Sequence, residues 1–145
     1  PLGWRGAKLN TTVIYEDTSI RDPLTGLPRP LSNDQYVVAN FDFRDDIPHS
    51  HWAWGGGFDF YRTRPYYRLA EVGVNNERPY HYLFVENKDV LGLDVKVQAF
   101  NLTNGRAYFH RTVWDGERTT APILFIEDRN LSVEPIFQFT VKGKF

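Results

Sequence analysis

The chain has 145 residues, a formal net charge of -1, 41% hydrophobic and 24% charged residues, the balance of one ordinary folded domain. A near-neutral chain has no bulk electrostatic drive toward nucleic acid, and no run of about 18 apolar residues offers a transmembrane helix. Aromatic residues reach 16% while cysteine and methionine are absent, which removes disulfide and thiolate chemistry. Pro1-Leu2-Gly3-Trp4 does not have the pattern of a signal peptide. The expectation is a chain whose leader was removed, or a piece of something longer.

Helical periodicity is missing, and a period of two recurs. Residues 8–16 set Leu9, Thr11, Val13 and Tyr15 against Lys8, Asn10, Thr12, Ile14 and Glu16. A long loop, about 17–34, follows, with its turn at Asp22-Pro23-Leu24-Thr25-Gly26. Residues 35–44 set Val37, Ala39, Phe41 and Phe43 against Val38, Asn40, Asp42 and Arg44. After a short connection over 45–51, residues 52–62 set Trp52, Trp54, Gly56, Phe58 and Phe60 against Ala53, Gly55, Gly57, Asp59 and Tyr61. A longer loop around 69–78 leads to a strand over 79–87, where Leu83 and Val85 oppose Phe84 and Glu86. The short segment 87–92 precedes 93–102, with Leu93, Val95, Val97 and Ala99 opposite Asp94, Lys96, Gln98 and Phe100. A long excursion, about 103–130, comes before the last strand, about 131–145. That strand alternates to its end, with Phe137, Phe139, Val141 and Phe145 on one face and Gln138, Thr140, Lys142 and Lys144 on the other.

The reading is an all-β, antiparallel up-and-down meander of about six strands. Its short turns lie at one end and its long loops at the other, the layout of an outer-membrane barrel. A strand of about 10 residues at roughly 3.4 Å each, tilted by about 45°, rises about 24 Å, which suits a membrane's apolar band. Trp4, Phe41, Phe43, Trp52, Trp54 and Phe145 are expected beside the short turns as an interfacial aromatic belt. Lys8, Lys88, Lys142 and Lys144 gather at that end too, whereas most arginines belong to the long loops. Arginine binds phosphate through two donors where lysine acts as a point charge. An arginine-rich rim therefore suits phosphate-bearing headgroups or an anionic ligand.

Phe41-Asp42-Phe43-Arg44, Asp46-Ile47-Pro48 and Trp52-Ala53-Trp54-Gly55-Gly56-Gly57 resemble the C-terminal barrel strands of bacterial TonB-dependent outer-membrane receptors. So does Ala99-Phe100-Asn101-Leu102-Thr103-Asn104, which stands where that family carries an Asn-Leu-Phe-Asp-like stretch in its penultimate strand. The closing strand with terminal Phe145 completes a resemblance that covers nearly the whole chain. It implies residues 1–145 as a single C-terminal segment of a barrel of roughly 22 strands, the plug domain and earlier strands being absent. It also implies a bacterial outer-membrane location and import of a scarce nutrient, most often a ferric siderophore. The implied partners are outer-membrane lipid and lipopolysaccharide, the barrel-assembly machinery, and TonB through the absent N-terminal part. Phe137, Phe139, Val141 and Phe145 would form the assembly signal. No nucleic-acid partner and no cofactor is implied.

Sites of other kinds are poorly supported. His49-Ser50-His51 near Asp45 and Asp46 has metal-pair spacing, but polar residues in a short turn explain it better, so no metal site is expected. No nucleophile elbow, phosphate loop or calcium loop is present, and no carboxylate pair has acid–base spacing, so no enzyme is expected. Gly55-Gly56-Gly57 is not followed by a helix, and is read as room for a neighbouring backbone or large ring. Asn10, Asn101 and Asn130 begin glycosylation sequons. In a bacterial barrel they are chance matches, and glycan on Asn10 in the native protein would overturn that reading. The most ligand-like stretch carries Arg64, Tyr66, Tyr67 and Arg68, where cations alternate with aromatics. Tyr108, His110, Arg111 and Trp114 in the later excursion are expected over the same vestibule. The alternative is a secreted β-sandwich or small barrel whose surface rings bind carbohydrate or another small ligand.

Overall fold

A computed structural model describes residues 5–143. Trp4, Lys144 and Phe145 lie outside the described residues. Among those described, no helix is long and apolar enough to cross a membrane.

The six expected strands form one antiparallel sheet in chain order. They are β1 (Ala7–Tyr15), β4 (Gln35–Asp46), β5 (Trp52–Thr63), β8 (Tyr80–Val90), β9 (Leu93–Phe100) and β12 (Ile136–Lys142). The small hairpin β2 (Ile20–Arg21) and β3 (Pro28–Arg29) stands in the first long loop. The sheet is open, with β1 and β12 as its edges.

The register fixes the two faces. Directly opposed residues share a face, so Leu9, Phe43, Gly56, Leu83, Ala99 and Phe137 form one row across all six strands. The neighbouring rows add Phe41, Phe58, Trp54, Val85, Val97 and Phe139. These side chains face outward, Phe137 at 72% and Phe139 at 67% exposure. Among the described residues only Ala53 and Phe84 are buried hydrophobics. No described part of the chain covers this face.

The opposite face is polar and tied together. Arg44 reaches Asp46 at 3.0 Å and Glu86 at 2.6 Å, and Lys88 meets Asp46 at 2.9 Å. Tyr82 donates to Asp42 and Asn40 to Asp59. The glycine triplet makes part of this possible. A Cβ on Gly55 would stand 2.8 Å from the Phe84 ring, and one on Gly57 would strike the Tyr82 ring. The expected close approach of a large ring is therefore present twice.

The short turns match expectation. Residues 47–51 join β4 to β5, and Leu91-Gly92 join β8 to β9 with φ of 56° and 80°. Positive φ at both central residues is the hairpin turn whose twist suits flanking strands.

The long excursion 103–130 needs correction, because it is largely strand. β10 (Arg106–Trp114) and β11 (Ile123–Ser132) form a hairpin. The loop assigned around 69–78 likewise holds β7 (Glu71–Asn76), preceded by β6 (Tyr66–Tyr67). Together they make a second sheet in the order β11-β10-β7-β6. That order mirrors the first sheet's β12-β9-β8-β5, and each upper strand adjoins its lower counterpart in the chain. The four strands run on past a crease at residues 64–65, 77–79, 101–105 and 133–135.

Two further corrections follow from the crease. The strand expected over 93–102 ends at Phe100, and the strand expected over 131–145 is interrupted at 133–135. Asn101 explains the first break. It is 1% exposed with φ of 55°, donates its side-chain amide to the Val133 carbonyl and accepts from Gly105 N–H. Its own N–H donates to the His81 carbonyl. The side chain thus closes two backbone ends that the break would leave unpaired, and the Asn101 amide closes a third.

Candidate functional site

Trp52 and Trp54 are exposed at the short-turn end, and Phe43 packs on Trp54 with ring centroids 5.2 Å apart. Phe41 is a correction: it faces Thr11 and Phe58 in mid-sheet, not beside the turn. His49-Ser50-His51 forms the β4–β5 turn, where Ser50 Oγ donates to the Ile47 carbonyl and accepts from Trp52 N–H. Among the described residues no three metal-binding side chains converge.

The ligand candidates divide between two faces of the upper sheet. Arg111, Phe109, Glu71, Glu127 and Arg129 share one face by register. Arg111 bridges Glu127 at 2.6 Å and Glu71 at 3.5 Å, and Arg129 holds Glu127 from the far side. Tyr66 donates its hydroxyl to Glu71, and its ring lies over Gly73, where a Cβ would leave it no room. Burial, then the Glu71 hydrogen bond, push the Tyr66 hydroxyl up to about 12. Arg111 and Arg129 together hold the Glu127 carboxyl below its ordinary range, against the opposing cost of burial.

The other face carries Tyr108 and His110, which meet on one carboxylate oxygen. Tyr108 donates to Asp128 Oδ1 at 2.8 Å, and His110 Nδ1 is 2.7 Å from the same atom. The His110 hydrogen bond, then that of Tyr108, lower the Asp128 carboxyl. Trp114 ends β10, with its N–H donating to the Ala70 carbonyl. The second group of candidates is therefore not one surface: Arg111 points away from Tyr108 and His110.

Arg64 lies elsewhere again, stacked 4.1 Å over the Tyr36 ring and paired with Asp17 at 2.9 Å. Its Nε is buried without a hydrogen-bond partner.

Tyr67 and Arg68 belong to a junction of all three long loops, whose centre is Asp22. This carboxylate is 3% exposed. Its Oδ1 accepts from Leu24 N–H and Thr25 N–H, and its Oδ2 from Arg29 Nε at 2.8 Å and from Arg118 Nη2. Arg118 also donates to the Arg68 carbonyl at 2.7 Å. The Tyr67 ring takes both cations, Arg29 at 4.8 Å and Arg118 at 5.8 Å from its centroid. Burial alone would raise the Asp22 carboxyl; the two amides and the two guanidiniums outweigh it and hold the group below its ordinary value. A pocket of about 200 Å³ opens here, lined by Asp22, Leu24, Arg29, Tyr67, Arg68 and Arg118.

Asp22, Arg29 and Arg118 are the residues that sequence reasoning missed as a unit. The turn at Asp22 is legible from its Pro and Gly, but its partner Arg118 lies 96 residues away. A second concavity, about 450 Å³, lies on the polar face of the lower sheet among Lys8, Arg44, Tyr80, Phe84, Lys96 and Phe100. Comparison with protein-family models, curated proteins and solved structures finds no match to this chain.

Proposed function

We propose that this chain is a wall segment of a large outer-membrane β-barrel of the TonB-dependent receptor type, importing a scarce nutrient such as a ferric siderophore. One observation carries the membrane part of this reading. The six-stranded sheet presents a face dominated by exposed apolar side chains, with Asp45, Thr11 and His81 among them, that no other described part of the chain covers, while its opposite face is tied by ion pairs and hydrogen bonds. Lipid is the solvent in which such a face needs no protein cover. In the proposed barrel the free edges of β1 and β12 pair with further strands, because an open edge is not stable in lipid. The nutrient and the TonB partnership come from the resemblance of the strand motifs alone.

A soluble β-sandwich would bury the apolar face against a second sheet. Here the second sheet continues the same strands beyond a crease.

The test uses adjacent residues of β12, whose register places Phe139 opposite Val97 and Thr140 opposite Lys96. A cation at mid-bilayer on the lipid side costs about 2–4 kcal/mol. Phe139→Arg in the intact protein is expected to abolish heat-modifiable barrel in outer-membrane fractions, and Thr140→Arg to leave most of it. Equal tolerance of both substitutions would sink the membrane reading.

A further inference from the structure

The three-loop junction holds more positive charge than its carboxylate answers. Asp22 is fully engaged by two amides and two guanidiniums. Three guanidiniums line the pocket, those of Arg29, Arg68 and Arg118. Arg68 is 70% exposed and only 3.7 Å from Glu71, which Arg111 and Tyr66 already share. Donors also remain on the inner pair. Arg118 uses Nη1 and Nη2, leaving Nε; Arg29 uses Nε and Nη1, leaving Nη2.

We propose that this junction is a phosphate site. Asp22 holds Arg29 and Arg118 in place from below, and the exposed Arg68 head, now over the Tyr66 ring near Glu71, closes on the anion from the rim. Planar guanidiniums match phosphate oxygens two at a time, which suits this geometry better than a set of ammonium groups would. Pro23, Leu24, Leu69 and the Tyr67 ring give the pocket an apolar wall. A space of about 200 Å³ takes a phosphate with a small organic body. The phosphate belongs either to a soluble phosphomonoester or to a lipid headgroup, and the contacts are the same for both.

The site does not depend on the membrane reading. Phosphate binding by a protein that fails to insert would leave the site standing, and insertion without phosphate binding would leave the barrel standing.

The experiment is calorimetric titration of the intact protein in detergent, first with inorganic phosphate, then with mixed micelles containing phosphatidic acid or phosphatidylcholine alone. Saturable binding of phosphate at millimolar concentration, or of phosphatidic acid but not phosphatidylcholine, is expected, the first pattern indicating a soluble ligand and the second a headgroup. Arg68→Gln should weaken that binding about tenfold or more, the scale of one charge-assisted hydrogen bond. It leaves the Arg68 carbonyl available to Arg118, so amide exchange across the three loops should match the wild type. No binding in either arm, or equal binding by Arg68→Gln, would overturn the proposal.

Discussion

The two sheets are built from the same strands and held by different chemistry. Below the crease, β5, β8, β9 and β12 sort apolar residues to one face and polar residues to the other. Above it, their continuations β6, β7, β10 and β11 carry ion pairs on one face and the Tyr108–Asp128–His110 cluster on the other. The contrast is not uniform, because β11 opens on the exposed apolar run Ile123, Leu124, Phe125 and Ile126 before its polar stretch 127–130.

The largest effect that would separate the sheets is steric. Gly57→Val places a branched side chain against both the Tyr82 ring and the Asp42 carboxylate. Overpacking of this kind costs about 1–3 kcal/mol, and urea titration should show it in the six-stranded sheet while the upper hairpin keeps its exchange protection. Next is the crease itself. Asn101→Ala leaves the Val133 carbonyl and the Gly105 amide unpaired, at about 1–3 kcal/mol for buried groups. It should loosen β10–β11 relative to β9 and β12, which hydrogen exchange can read; unchanged protection at 101–105 would mean the two sheets are held by something else.

Acid should distinguish the regions more gently. Asp22 has a folded pKa below its ordinary 3.8, so its contribution is complete above that value and is lost as pH falls through the folded pKa. Exchange at the loops around Asp22 and Arg118 should therefore rise only below about pH 4. Loosening between neutrality and pH 5 would contradict the junction. The smallest effect is expected for Lys88→Ala. Its exposed pair with Asp46 contributes at most about 0.5 kcal/mol, since Arg44 still holds the carboxylate; a larger loss would show that the short-turn end depends on it.

The lower sheet was legible because most of its strands alternate, β8 least cleanly, and alternation is a local signal. Phe137, Phe139 and Val141 announce their face without knowledge of any partner. The upper hairpin was not legible for the opposite reason. Glu127, Asp128 and Arg129 form a continuous polar run, and each is suited to a strand only because Arg111, His110 and Phe109 stand opposite. Asn101 looked like one more strand residue; its buried, left-handed role depends on Val133, 32 residues on. The Asp22 junction failed to show for the same reason, since Arg118, one of its four donors, lies 96 residues away. Candidates chosen for composition, such as Arg111 and Tyr108, were real participants in networks, but composition could not say that they point to opposite sides.

Gly55 and Gly57 leave β5 without side chains on its polar face for three residues. Over that bare ground Tyr82 of β8 bonds Asp42 of β4, and Arg44 of β4 bonds Glu86 of β8. These contacts skip a strand, so they run around the wall where backbone hydrogen bonds only join immediate neighbours. They act as a hoop does on staves: pulling β4 and β8 together sets how sharply the sheet curves. The glycines, by carrying nothing, leave room for contacts that join β4 to β8 directly.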